Sequence, residues 1–98
     1  MTQAIVAAAR AVAPADVSIV ATQPEFGPAS IEGFYDGAYA VPGLLARISE
    51  AERSGEVAAH VIACFDDTGL EAARCVARSP VIGIGEAAFH AASMVGTC

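Results

Sequence analysis

The chain has no lysine and no tryptophan, and its only cations besides two histidines are five arginines. These stand apart at Arg10, Arg47, Arg53, Arg74 and Arg78, against eleven acidic residues and a formal net charge of −6. Such a chain repels a phosphate backbone rather than neutralising it, so charge excludes nucleic acid as a partner. Long apolar runs are missing as well. The best candidate for a membrane span, Glu86 to Cys98, is too short and opens on a carboxylate, which excludes a spanning helix there. No basic-then-apolar leader begins the sequence, and the expected location is the cytoplasm. The three cysteines form no CxxC pair, so neither a disulfide framework nor a tetrahedral zinc site is indicated, and no metal is expected. Walker, HExxH and GxSxG motifs are absent. The acidic pairs Glu50/Glu52 and Asp66/Asp67 are too local for a glycosidase dyad, and the first reads as a solvated helix face.

What the sequence does have is apolar surface, at 55% of residues, with only 16% charged. An all-round apolar composition without a long apolar run indicates elements buried on both faces, as in a parallel α/β sheet. Periodicity supplies the order. Ile5, Ala9 and Val12 share one helical face, and Pro14 ends that helix. Val17 to Ala21 reads as a short buried strand, and the Pro- and Gly-bearing stretch Thr22 to Gly33 as a long loop. Leu44, Leu45, Ile48 and Ala51 form a helical stripe with Arg47, Glu50 and Arg53 opposite. Pro42 is expected to start a fresh segment there, since proline suits a first turn.

Val57 to Phe65, apolar except at His60, reads as a central strand. Thr68-Gly69-Leu70-Glu71 matches a capping box, so a helix is expected from Thr68 to about Arg78, buried through Leu70, Ala73, Val76 and Ala77. A strand over 80–84 follows, then a last helix with Ala88, Ala91, Ala92 and Val95 inward. Strands near 17–21, 58–64 and 80–84 joined by helices predict a three-layer α/β sandwich with a parallel sheet. The sequence opens in a helix, whereas doubly wound domains open with a strand that becomes central, so a single partial domain over 1–98 is expected.

Cys64 is the leading chemical candidate, at the carboxyl end of the central strand where ligand crevices of open α/β sheets lie. Backbone N–H groups of 66–69 and the following helix dipole favour a thiolate there, while Asp66 and Asp67 oppose one. The plainer alternative is a small buried apolar residue. Cys75 is led ~10 Å away along its helix and Cys98 ~15 Å along the next, which leaves both structural or incidental. His60 falls on the same strand face as Cys64 but ~13 Å down the sheet, and reads as a satisfied core or edge histidine. His90 reads as a surface residue. Gly83-Ile84-Gly85 is a weak fragment of a dinucleotide fingerprint, without its third glycine.

Three segments together resemble hydantoin racemases of the aspartate/glutamate racemase superfamily: Pro28-Ala29-Ser30-Ile31-Glu32-Gly33, Ala63-Cys64-Phe65-Asp66-Asp67-Thr68-Gly69-Leu70, and Pro80-Val81-Ile82-Gly83-Ile84-Gly85-Glu86-Ala87-Ala88. Val41 to Ile48 fits the same pattern. The resemblance implies two similar α/β domains that each give one cysteine to a shared cleft, with no cofactor. One thiolate removes the proton from the stereocentre and the other thiol returns one to the opposite face. It makes Cys64 the catalytic cysteine of the first domain, with Phe65, Asp66 and Ser30 substrate-binding. It further implies a small-molecule partner, a hydantoin or related amide or amino acid, and allows a homo-oligomer. The family's opening strand, with its Asn-Pro-Asn-Thr motif, and its second cysteine domain have no match here. In the family's order that strand lies between 17–21 and 58–64, so both edges are expected to be left open. Allantoin or amino-acid racemases and one-cysteine decarboxylases are alternatives within the superfamily. A non-catalytic flavodoxin-like module and an inactive truncated remnant are alternatives outside its chemistry.

Overall fold

The computed structural model describes residues 2–96. Along it run α1 (Thr2–Val12), α2 (Phe34–Ser54), β1 (His60–Ile62), α3 (Leu70–Val76), β2 (Val81–Gly83) and α4 (Ile84–Val95). The two strands pair in parallel, with His60 opposite Val81 and Ile62 opposite Gly83. Helix α3 makes the crossover between them, so β1-α3-β2 is the βαβ unit that the alternating periodicity predicts. Both strands are shorter than the apolar runs that contain them.

The core lies where this unit meets α2. Ile48 from α2, Ile62 from β1, Leu70 and Ala73 from α3 and Val81 from β2 are buried together, with Leu44, Leu45, Cys64 and Ala77 packed against them. The stripe expected on α2 thus faces the sheet, and each fully buried aliphatic side chain contributes about 1.5–3 kcal/mol. Gly55 ends α2 in the left-handed conformation at φ 71, with its N–H on the Glu52 carbonyl. A polar tie closes the same end. The Glu52 carboxylate accepts from His60 Nε2 at 2.7 Å and from the backbone N–H of Arg78 at 2.9 Å. His60 is therefore satisfied, as expected of a histidine inside an apolar strand.

Four expectations are corrected. Pro42 does not start a helix but lies inside α2, which runs unbroken from Phe34. Its ring costs the helix the bond to the Ala38 carbonyl, and since both residues are exposed water can take that acceptor. Val17 to Ala21 is not a strand. It joins no ladder among the described residues, leaves Val17 and Val20 exposed, and is held through Arg10 Nη2 on the Ile19 carbonyl at 3.1 Å. A β-branched run becomes a strand only where a neighbouring strand takes its N–H and C=O groups, and periodicity does not report the neighbour. The inner face expected of α4 is uncovered, with Ala88, Ala91, Ala92 and Val95 all exposed and Gly85 in the first turn its only buried residue. Burial on both sheet faces is not reached either. Val61 and Ile82, opposite one another in the ladder, remain 63% and 42% exposed. The face they share is left bare, and α1 buries none of its residues.

Candidate active site

Strand β1 ends at Ile62, and two residues on stands Cys64, half-buried with its side chain against the core. The chain then turns sharply. Asp67 N–H donates to the Cys64 carbonyl at 2.8 Å, and Leu70 N–H to the Asp67 carbonyl at 3.1 Å. Asp67 takes φ 52, a left-handed conformation that aspartate tolerates better than most side chains. Gly69, at φ 79, is the residue that leads into α3. The capping box expected at Thr68 is therefore not formed, because α3 starts one residue later than that motif requires. The Thr68 hydroxyl instead lies 3.5 Å from Cys64 Sγ.

The Asp67 carboxylate points across to the next element. One oxygen accepts the Gly85 N–H at 2.9 Å and the other the Glu86 N–H at 2.7 Å, which satisfies two of the free donors that open α4. Two glycines make room for it. A Cβ at Gly83 would collide with the Asp67 carboxylate, and one at Gly85 with the Phe65 carbonyl. The Gly83-Ile84-Gly85 pattern thus marks close approach of two loops rather than a nucleotide site, and the same doublet read as packing would have revealed it.

Arg74 braces the junction from α3. It donates to the Val81 carbonyl at 3.0 Å through Nη2 and pairs with Glu86 at 2.6 Å. The hydrogen bond from Arg74 holds the Glu86 carboxyl below its usual range, and the same bond raises the guanidinium. Phe65, 62% exposed, sets its ring 5.8 Å from that of Phe89. Asp66 is exposed, and among the described residues neither the Phe65 nor the Asp66 N–H donates to another group of the chain.

Ser30 is exposed and donates to Glu32 at 3.0 Å, while the Glu32 N–H donates to Asp36 at 3.1 Å. This segment leads into the first turn of α2, where a Cβ at Gly37 would stand 4.0 Å from the Thr68 methyl. The PASIEG segment and the cysteine turn therefore meet through α2, with no hydrogen bond between Ser30 and Cys64. Cys75 is exposed on α3 and His90 on α4; Cys98 lies outside the described residues. Among the described residues no cluster of His, Cys, Asp or Glu could hold a metal ion, and no helix is long and apolar enough to cross a membrane. An open concavity of about 650 Å³, lined by Thr2, Val6, Arg10, Ile19 and Val20, lies beside α1 and does not include Cys64.

Open α/β sheets hold their ligand crevices outside the carboxyl ends of the strands, and Cys64 stands at such an end. The model of the Asp/Glu/Hydantoin racemase family matches residues 1–98, and the chain belongs to that family. It is 50% identical over 95 residues to the hydantoin racemase of Rhizobium meliloti and 47% identical to that of Pseudomonas sp. (strain NS671). These alignments take in 97% of this chain but only 39% and 38% of the relatives. The allantoin racemase from Klebsiella pneumoniae has a similar structure, with a TM-score of 0.88 and 53% identity over 95% of this chain and 38% of that one. The α/β fold is shared with it, and the chain spans under two fifths of these relatives' lengths.

Proposed function

We propose that this chain carries one of two cysteine acid–base groups of a cofactor-independent racemase for hydantoin-type cyclic ureides, and that Cys64 is that group. The observation that carries the reading is the place of Cys64: past the carboxyl end of β1, half-buried, beside the Thr68 hydroxyl and followed by the N–H groups of Phe65 and Asp66, which are unengaged among the described residues. Hydantoin and allantoin, the substrates named for the relatives, share a five-membered ring whose C5 proton is acidified by the adjacent carbonyl. A thiolate takes that proton, and the C–H electron pair moves onto the carbonyl oxygen as an enolate. The Phe65 and Asp66 N–H groups bind that oxygen as its charge develops. A second thiol, from a facing domain, returns a proton to the opposite face, and the two sulfurs exchange protonation states. Thiols suit this task because they ionise close to neutral pH. In this account residues 1–98 supply most of one domain, Ser30 reaches the substrate from the segment before α2, and the chemistry calls for a reducing compartment such as the cytoplasm, where thiols stay free.

The test is a chimera in which this chain replaces the matching segment of the Rhizobium meliloti hydantoin racemase. Racemisation of a 5-substituted hydantoin is expected, and Cys64→Ala in the chimera should reduce kcat by about 10²–10⁴-fold, the range for losing a general acid–base group. A Cys64→Ala chimera within tenfold of its parent would remove Cys64 from the mechanism.

A further inference from the structure

We propose that Asp67 is the positioning residue of the cysteine turn: its carboxylate latches residues 64–67 to the first turn of α4 and so sets where the Cys64 thiol stands. Both carboxylate oxygens are committed to α4, at 2.9 Å to Gly85 N–H and 2.7 Å to Glu86 N–H. Asp67 therefore acts through the backbone and does not meet a substrate itself. Its own N–H closes the turn onto the Cys64 carbonyl, so the latch and the thiol share one short rigid loop.

The residues opposite are shaped to this carboxylate. Gly83 has φ −96 and ψ 140, a conformation open to any side chain, so its backbone does not demand glycine. What a side chain would meet is Asp67: a Cβ at Gly83 collides with the carboxylate, and one at Gly85 stands 3.0 Å from Oδ2 while striking the Phe65 carbonyl. Asp67 also holds φ 52, a left-handed conformation uncommon outside glycine. Two omitted side chains on β2–α4 and one left-handed aspartate on the turn are complementary halves of a single contact.

The part that Asp67 plays in proton transfer rests on the racemase reading, but the latch itself can be tested without catalysis. The probe is iodoacetamide, with alkylation of Cys64 followed by mass spectrometry of its peptide and the exposed Cys75 as reference in the same chain. Asp67→Asn keeps one acceptor oxygen but turns an amide N–H₂ toward a backbone N–H, and should change the Cys64 to Cys75 rate ratio by about threefold or more. Gly83→Ala should do the same by displacing the carboxylate. In the Asp67→Ala background the collision is gone, so adding Gly83→Ala should change the ratio by less than about twofold. A ratio in Asp67→Asn within about twofold of the parent, or full additivity of the two alanine changes, overturns the proposal. So does an Asp67→Asn chain in which both cysteines react at the rates of the urea-unfolded chain, since Asp67 would then serve general stability only. A chain that keeps the latch but fails in the racemase chimera would remove the functional reading and leave the latch standing.

Discussion

The imidazole of His60 and the carboxylate of Glu52 meet at 2.7 Å, where the last turns of α2 pass the first residue of β1. The same carboxylate takes the N–H groups of Arg78 and Ser79 at 2.9 and 3.3 Å, so one side chain ties α2, β1 and the approach to β2. These donors, the His60 ring first and the Arg78 N–H next, hold the Glu52 carboxyl at about 2, below its ordinary 4.5.

The tie predicts a particular acid sensitivity. A carboxyl depressed in the folded chain adds stability that is fully present above its unfolded value near 4.5 and is lost as the pH falls toward about 2. Glu52→Gln should lower stability at neutral pH. Between about pH 5 and about pH 3 it should lose less further stability than the parent, because the group that titrates there is gone. Urea melts at the two pH values check this, and equal losses in both chains would show that Glu52 is not the linked group.

Association is the second expectation. Among the described residues the buried hydrophobic core is only Ile48, Ile62, Leu70, Ala73 and Val81, whereas Val61, Ile82, Phe65, Phe89 and Met94 lie on the surface. The edge of β1 away from β2 pairs with no strand among the described residues, and an open edge beside bare apolar side chains recruits another chain. The isolated chain should be of marginal stability and dimerise or aggregate, with light scattering rising with concentration. Val61→Lys, on the bare sheet face, should shift it toward monomer. A monomer of the parent chain with a cooperative melt at high temperature would contradict this.

How much of this was legible in the sequence follows from the range of the forces involved. The α2 stripe, the parallel pair and the position of Cys64 at a strand's carboxyl end follow from local apolar spacing and chain direction, and so does the presence of a first and a last helix, though not the faces these two bury. Thr68 was misread because the capping box assumes that the helix begins beside it, and two left-handed residues, Asp67 and Gly69, delay α3. Val17 to Ala21 was misread because a strand is a relation between two segments, and only one is visible in a local pattern. Gly83 and Gly85 were visible as an unexplained doublet, but their partner Asp67 lies 18 and 19 residues from its bond partners Gly85 and Glu86, which no local pattern spans. The role proposed for Cys64 comes from the family resemblance, since position alone leaves it open between a reactive thiol and a packing residue.

The central claim is that Cys64 is an acid–base group working from one face of the substrate. Racemisation needs a second donor on the opposite face, with both within ~3–3.5 Å of the reacting carbon. Cys75 is exposed on α3 and His60 is bound to Glu52, so neither is placed to serve. The most direct measurement incubates the purified chain with one enantiomer of a 5-substituted hydantoin in D₂O, beside the Cys64→Ala variant. NMR reads exchange at C5 and polarimetry reads configuration. The account predicts Cys64-dependent deuterium uptake with configuration retained and no inversion above the spontaneous rate. Equal uptake in Cys64→Ala, or Cys64-dependent inversion by this chain alone, would contradict it.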